Sequence, residues 1–157
     1  MLDLMLEVGS FEKAVEALVL TPMTSPSHFI VGGTKGHEGV VISRNFDKTV
    51  NTRWLTDDDW FVVQTNSDVW TAPDVRYENA YNDMVKLTQS KVEPDGKSII
   101  EEVLFQDGVI QDDTIFTSTI SAKEGQPIVI YDSPSHHLPE DTTFAWHFSS
   151  EMFAQLY

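Results

Sequence analysis

The 157-residue sequence predicts an α+β protein in which antiparallel strands are flanked by helices. Amphipathic helices are predicted over Phe11–Leu20 and Tyr77–Leu87, because apolar residues recur in both at spacings of three and four. Elsewhere, short apolar and β-branched runs alternate with turn residues, which is typical of strands. The length and a hydrophobic content of 41% predict a single domain, or part of one, over residues 1–157.

Capping residues define the ends of the predicted helices. Ser10 is expected to cap the first helix, and Pro22 disfavours its continuation. Ser98 and Glu101 have the spacing of a capping box and predict the start of another short helix. The short helical predictions are Met1–Val8, Ile99–Gln106 and Ser149–Leu156.

Three apolar runs predict strands whose two faces are both covered, because they lack the alternation of a strand with one wet face. These runs are Phe29–Val31, Val40–Ile42 and Phe61–Val63. The glycines between the first two predict a tight connection between strands. Farther along, the sequence predicts a hairpin over Thr114–Ser121 and Pro127–Tyr131, a loop over Ser133–Asp141, and a C-terminal extension over residues 133–157.

Charge and composition exclude several classes of function. A formal net charge of −15 and a pI near 4.4 disfavour binding to nucleic acid or to anionic membranes. The chain has no cysteine, and no apolar run approaches the ~20 residues of a membrane span. Asp3 and Glu7 near the start do not fit a secretory signal, and no N-glycosylation acceptor occurs. These features predict an intracellular chain or a piece of a longer one.

Histidine and aspartate clusters offer alternatives that the residues themselves do not favour. His136 and His137 lie near Ser133 and Asp141, so a metal site or a hydrolase triad can be drawn there. Adjacent histidines in a polar loop are more commonly solvated. The run Asp57-Asp58-Asp59 lacks the spacing of a calcium loop and is interpreted as an acidic turn. No metal and no cofactor is predicted.

The segment Gln64–Trp70 places three functional side chains, Asn66, Asp68 and Trp70, at the end of a predicted apolar strand. An asparagine amide there can donate hydrogen bonds to a developing oxyanion, as in acyl-transfer enzymes. The alternative is a turn in which Asn66 caps and Trp70 packs. The residues taken alone favour the turn.

Four segments together resemble a known family. They are FEKAVEALVLTP, HFIVGGTKGHEGVVISRNFD, WFVVQTNSDVW and TIFTSTIS, and they occur in this order. In wording and order they resemble the later, C-terminal portion of the acid ceramidase and N-acylethanolamine-hydrolysing acid amidase family. The resemblance covers nearly all of residues 10–132.

This resemblance implies an N-terminal-nucleophile hydrolase with an αββα sandwich, which cuts fatty-acyl amides in lysosomes after autoproteolysis exposes a cysteine. The family's oxyanion asparagine falls on Asn66, and Asp68 and Trp70 are carried over as substrate-binding residues. An active-site arginine of the family matches Arg76 when the alignment is shifted, whereas an ungapped match places Asn79 there.

The missing cysteine leads to two main expectations. In the first, the chain is part of an amidohydrolase that cleaves ceramide or N-acylethanolamine and is not active alone. A companion chain then covers the apolar strand face, and a fatty-acyl lipid binds. In the second, the chain is a catalytically inactive structural or interaction subunit of a larger assembly. A lipid-binding module is a third alternative.

Overall fold

A computed structural model of the chain describes residues 9–90, 94–112, 114, 116–122, 126–132 and 153–156. Its elements, in order, are α1 (Phe11–Leu20), β1 (Ser27–Gly32), β2 (Gly39–Arg44), β3 (Thr49–Trp54), α2 (Val75–Gln89), α3 (Gly96–Ile99), a π-helical turn (Ile100–Leu104), β4 (Phe116–Ser121), β5 (Gln126–Asp132) and β6 (Phe153–Leu156). The chain has helices and antiparallel strands, so the predicted α+β class is confirmed at this level.

The described residues fall into two compact units. The first holds residues 9–62, 122, 126 and 153–156, and the second holds residues 63–90, 94–112, 114, 116–121 and 127–132. The first unit contains α1 and a four-stranded sheet. The second contains α2, α3, the π-helical turn, β4 and most of β5.

Helix α1 has the bounds that the sequence predicts. Ser10 caps it, with the Lys13 N–H donating to the Ser10 hydroxyl oxygen at 3.3 Å. Its apolar stripe, Phe11, Ala14 and Leu18, is buried against β1 and β2. The 3.6-residue period of the sequence therefore gave the correct buried face.

The sheet of the first unit has the strand order β3-β2-β1-β6, and every neighbouring pair is antiparallel. Phe29 pairs with Ile42 and Val31 with Val40, so these four side chains lie on one face. That face packs against α1 to form the core of the unit. The glycine-rich segment between β1 and β2 is the predicted tight connection.

Strand β2 is buried along its whole length, as its continuous apolar run predicts. Val40, Val41 and Ile42 are at most 1% exposed, and so are Phe29 and Val31 of β1. Phe61–Val63, the third run for which a covering chain was predicted, is half-buried. The companion chain over these runs stays a prediction.

A buried arginine links α1 to the sheet. Arg44, at the end of β2, is 2% exposed, and its guanidinium donates to the backbone carbonyls of Leu18 and Thr21. Helix α1 has no basic residue in its last turn. Arg44 therefore supplies the positive charge that stabilises the carbonyl end of a helix.

Helix α2 starts earlier than the sequence predicts because Asp74 caps it, accepting a hydrogen bond from the Tyr77 N–H at 2.6 Å. The next helix also starts earlier. Its capping box pairs Asp95 with Ser98, so Ser98 lies at the third helical position instead of the cap. The α-helix then passes into the π-helical turn, whose Ile100 and Val103 are buried.

Three strand or helix predictions need correction. Phe61–Val63 is half-buried but lies outside any strand, whereas Thr49–Trp54, which the sequence suggested only as a polar connection, forms β3. Phe153–Leu156 forms strand β6 instead of a helix. Strands β4 and β5 pair with each other, as predicted. The predictions over Met1–Val8, Ser133–Asp141 and residues 149–152 fall outside the described residues.

No helix in the described part of the chain combines the length and apolarity that crossing a bilayer demands.

Replacing Arg44 by methionine is expected to lower the free energy of unfolding by about 2–4 kcal/mol. The substitution keeps an apolar stem but leaves buried helix carbonyls without their charged donor. Denaturant unfolding measures the loss. Lys48→Met, at an exposed lysine nearby, is the control and should change stability by less than about 0.5 kcal/mol. Equal losses in the two variants would contradict the assigned role of Arg44.

Gly108→Ala is expected to destabilise the protein by about 1–2 kcal/mol, because Gly108 has a φ of 81° in the left-handed region. An added Cβ would also lie 2.5 Å from the Asn79 side-chain nitrogen. Gly36→Ala is the matched control, since a Cβ at Gly36 meets nothing within 4 Å. Thermal unfolding of both variants tests the difference, and similar midpoints would count against it.

Candidate functional site

Asn66 lies at an exposed bend in the second unit, between an irregular segment and the approach to α2. Its side-chain amide makes no hydrogen bond to any other residue in the described part of the chain. The amide therefore remains available to donate to a ligand. The two residues that flank it, Thr65 and Ser67, are instead heavily hydrogen-bonded.

Gln64 holds the backbone on both sides of Asn66. Its side-chain nitrogen donates to the Thr65 carbonyl at 2.6 Å and to the Ser67 carbonyl at 2.9 Å. The Ser67 carbonyl also accepts from the Val69 N–H at 3.0 Å. These bonds satisfy carbonyls that a bend would otherwise leave to water.

Asp74 holds the same bend by bonding to the side chains of Thr65 and Ser67. One carboxylate oxygen, Oδ2, accepts from the Thr65 hydroxyl at 3.1 Å and from the Ser67 hydroxyl at 2.8 Å. The other oxygen, Oδ1, accepts from the Tyr77 N–H and so caps α2. We call Gln64, Thr65, Ser67 and Asp74 the Asn66 clamp, because together they fix the chain on both sides of Asn66.

The surroundings of Asp74 favour its ionised form. Partial burial acts to raise the pKa of this carboxyl group, but hydrogen bonds from the Tyr77 N–H and from the hydroxyls of Ser67 and Thr65 outweigh that effect. The positive charge of Arg76 acts in the same direction. The pKa of Asp74 is therefore held below its ordinary value.

Arg76 lies in the first turn of α2, close enough for its charge to act on Asp74. Its Nε donates to the Val109 carbonyl at 2.7 Å, which fixes the guanidinium plane. Its terminal nitrogens have no hydrogen-bond partner in the part of the chain that the structure describes. Asn79, the ungapped alternative, is half-buried beside Gly108.

Asp68 and Trp70 follow the clamp in a compact turn. The Asp68 carbonyl accepts hydrogen bonds from the backbone N–H groups of Thr71 and Ala72, at 2.8 and 3.1 Å. The Asp68 side chain is exposed and Trp70 is half-buried. The turn thus brings both predicted substrate-binding residues near the bend of Asn66 along the chain, and their roles stay predictions.

The other polar clusters of the sequence do not form a site in the described region. No three histidine or acidic side chains converge there as metal ligands. His37 is an exposed turn residue beside Asp57, and the His28 ring is hydrogen-bonded to the Ser43 hydroxyl oxygen at 2.8 Å. The triad or metal site drawn from His136 and His137 lies outside the described residues.

The clamp residue Asp74 was missed by the sequence analysis, although a signal for it exists. An aspartate preceded by proline and followed directly by an amphipathic helix is a common N-cap arrangement. The hydroxyls of Thr65 and Ser67 carry no such signal, because a contact over seven to nine residues of irregular chain follows no fixed period.

Comparison with curated proteins identifies the relatives of the chain. It is 38% identical over 122 residues to an N-acylethanolamine-hydrolyzing acid amidase of Oryctolagus cuniculus, covering 74% of this chain and 33% of that protein. It is 43% identical over 70 residues to such an amidase of Caenorhabditis elegans, covering 43% of this chain and 20% of that protein. It is 29% identical over 119 residues to the acid ceramidase of Homo sapiens, covering 74% of this chain and 30% of that protein.

The chain is similar to acid amidases and acid ceramidases over 74% of its length. The predicted resemblance is thus confirmed, and the matches fit a partial, C-terminal portion of these proteins. The chain spans about a third of the length of the curated relatives it matches. No family model matches it. The similarity to acid amidases and ceramidases therefore rests on comparison with individual proteins.

Because the pKa of Asp74 is lowered in the folded state, its ionised form contributes stability above the ordinary aspartate pKa of about 3.9, and this contribution is lost as the pH falls through the lowered value. Asp74→Asn should therefore be less stable than the native chain at pH 6. The difference should shrink below about pH 4.

Denaturant unfolding between pH 3 and pH 7 measures this difference. Asn82→Ala, a neutral change at an exposed position of α2, is the control, and its difference from the native chain should not vary with pH. A difference for Asp74→Asn that stays constant over the whole range would contradict the role of the ionised carboxylate.

Proposed function

We propose that the chain is the C-terminal portion of an acid-ceramidase-like amidohydrolase that cleaves fatty-acyl amides, and that it contributes Asn66 to the oxyanion hole. One observation carries the proposal: a held bend presents an exposed asparagine amide with no hydrogen-bond partner in the described part of the chain. The similarity to acid amidases and ceramidases supports the class of reaction.

The reaction assigns a definite role to this amide. The cysteine's own α-amine takes the thiol proton, the thiolate attacks the amide carbonyl carbon, and that carbon becomes tetrahedral with an oxyanion on it. The Asn66 Nδ2–H donates a hydrogen bond to that oxygen as its charge develops. The α-amine returns its proton to the leaving nitrogen as the C–N bond breaks, the oxyanion collapses to a thioester and the amine leaves. Water then hydrolyses the thioester to release the fatty acid and the thiol.

The thiol must come from outside these 157 residues, because the chain contains no cysteine. We place it on sequence that corresponds to the two thirds of the relatives that this chain does not match, either on a companion chain or on a longer polypeptide. In this arrangement the sheet β3-β2-β1-β6 with α1 forms one sheet and one outer helical layer of an αββα sandwich.

Arg76 has a geometry suited to a supporting role. Its Nε bond to the Val109 carbonyl orients the guanidinium, and its terminal nitrogens remain available to a polar group of the substrate or of the nucleophile. Asp68 and Trp70 follow the oxyanion donor in the sequence and would contact the substrate, which is a ceramide or an N-acylethanolamine. All three assignments rest on the same similarity as that of Asn66.

A second candidate function is that of a catalytically inactive structural subunit in a larger assembly. The absence of cysteine favours this candidate, because the chain itself then has no thiol nucleophile. In that case the bend at Asn66 would keep its conformation but would take no part in catalysis.

The test is amide hydrolysis by the native assembly, purified through a tag on this chain, with N-acylethanolamine and ceramide as substrates. We expect hydrolysis that is lost on thiol alkylation. Asn66→Ala should lower kcat by about 10²–10³-fold, the usual cost of removing one oxyanion donor. The KM should change little, because the donor acts mainly on the transition state.

Asn82→Ala is the matched control, since Asn82 is another exposed asparagine, on α2 and outside the bend. It should leave kcat unchanged. An assembly that hydrolyses neither substrate would refute the amidase and leave the structural subunit. An active assembly in which both asparagine variants behave alike would remove Asn66 from the mechanism.

A further inference from the structure

We propose that Asp74 is the positioning residue of this site: it fixes the bend that aims the Asn66 amide at the oxyanion, using one carboxylate oxygen for the bend and the other for the helix. This inference rests on the proposed function, because it gives the bend at Asn66 a catalytic purpose. It adds a residue that acts through Asn66 without touching the substrate.

The inference rests on the different hydrogen-bond partners of the two carboxylate oxygens of Asp74. Oδ1 accepts the Tyr77 N–H at 2.6 Å, which is the ordinary bond of a helix cap. Oδ2 accepts both hydroxyls that flank Asn66, at 3.1 Å from Thr65 and 2.8 Å from Ser67. The two hydroxyl oxygens are themselves 3.1 Å apart, so the three groups form a closed triangle. A residue that only capped the helix would make the bond of Oδ1 without the two bonds of Oδ2 to the bend.

The anchor of this arrangement is rigid. Helix α2 runs for 15 residues from Val75 to Gln89 and buries Ala80, Met84 and Leu87. The carboxylate of Asp74, the N-cap residue, is bonded to the first turn and is therefore held by the packing of the helix. Through Oδ2 that rigidity reaches a bend which has no regular secondary structure of its own.

Rigidity matters for an oxyanion donor because its benefit depends on being in place before the charge develops. A mobile asparagine would reorganise during the reaction and lose part of its stabilising effect. Gln64 fixes the carbonyls around Asn66, but it lies on the same irregular segment. Asp74 is the clamp residue that connects this segment to a helix.

The helix cap at Asp95 provides an internal comparison. Asp95 also caps a helix, accepting the Ser98 N–H at 2.7 Å, and its backbone N–H donates to the Ser98 hydroxyl oxygen at 3.0 Å. These bonds stay within one helical turn. Serine is a good N-cap residue, so a serine in place of either aspartate retains a cap. At Asp74 alone, the change also removes an oxygen that accepts hydrogen bonds from residues outside the helix.

The experiment compares Asp74→Ser with Asp95→Ser in the tagged native assembly, using N-acylethanolamine hydrolysis as the assay. Asp74→Ser should lower kcat about tenfold or more with KM changed less than twofold. Asp95→Ser should leave both unchanged. The Thr65→Val, Ser67→Ala double variant leaves Asp74 and its cap intact but removes the two hydroxyls, and it should reproduce the loss of kcat.

A double-mutant cycle with Asn66→Ala separates positioning from a general structural effect. Asn66→Ala should cost about 10²–10³-fold in kcat in the native background but only about 10–10²-fold in the Asp74→Ser background, because part of the donor's effect is already lost there. In the Asp95→Ser background the full cost should remain. Conservative rescue by Asp74→Asn, which keeps two polar atoms, should restore part of kcat.

A measurement on the 157-residue chain itself keeps the inference testable without activity. Backbone ¹⁵N relaxation should show ordered Thr65, Asn66 and Ser67 in the native chain and increased fast motion in Asp74→Ser, but not in Asp95→Ser. Equal order at the bend in both serine variants, or an undiminished cost of Asn66→Ala beside Asp74→Ser, would overturn the positioning role. A cost of less than twofold for Asn66→Ala in the native background would instead overturn the proposed function, and this inference with it.

Discussion

The carboxylate of Asp74 connects the start of α2 to the bend that presents Asn66. Its two oxygens accept three hydrogen bonds, one from the helix and two from hydroxyls seven and nine residues earlier. Because a single side chain completes both the cap and the bend, the helix terminus and the bend are stabilised together. The ionised form is favoured by the same bonds, so the charge state of Asp74 and the geometry of the bend are coupled.

Arg44 plays the corresponding part at the other end of a helix, in the first unit. Helix dipoles favour anions at the N-terminus and cations at the C-terminus. Helix α1 has no basic residue in its last turn, whereas α2 has Glu78 in its first turn in addition to its cap. Asp74 lies just before α2, while Arg44 comes from a strand more than 20 residues after α1. In each case a charged side chain links a helix terminus to a segment distant from it in the sequence.

The sequence predicts well what depends on a local period and poorly what depends on distant contacts. Helix α1, with Ser10 and its apolar stripe, was predicted to the residue, and β1 and β2 were recognised from their apolar runs. Strand β3 was missed because its residues are mostly polar and it alternates between half-buried and exposed. Phe61–Val63 is apolar enough for a strand, but burial without sheet pairing satisfies it as well. The sequence located the bend through Asn66. The hydrogen bonds from this bend to Asp74 follow no sequence period and were not predicted.

The exposure of Asn66 constrains what the rest of such an enzyme must supply. An amide in water already donates to water, so it gains little from an oxyanion until solvent is excluded and the local dielectric falls. On the proposed function, the missing part of the hydrolase must therefore bring both the thiol and a cover over the bend. The contact that completes the active site is then expected at the bend of Asn66.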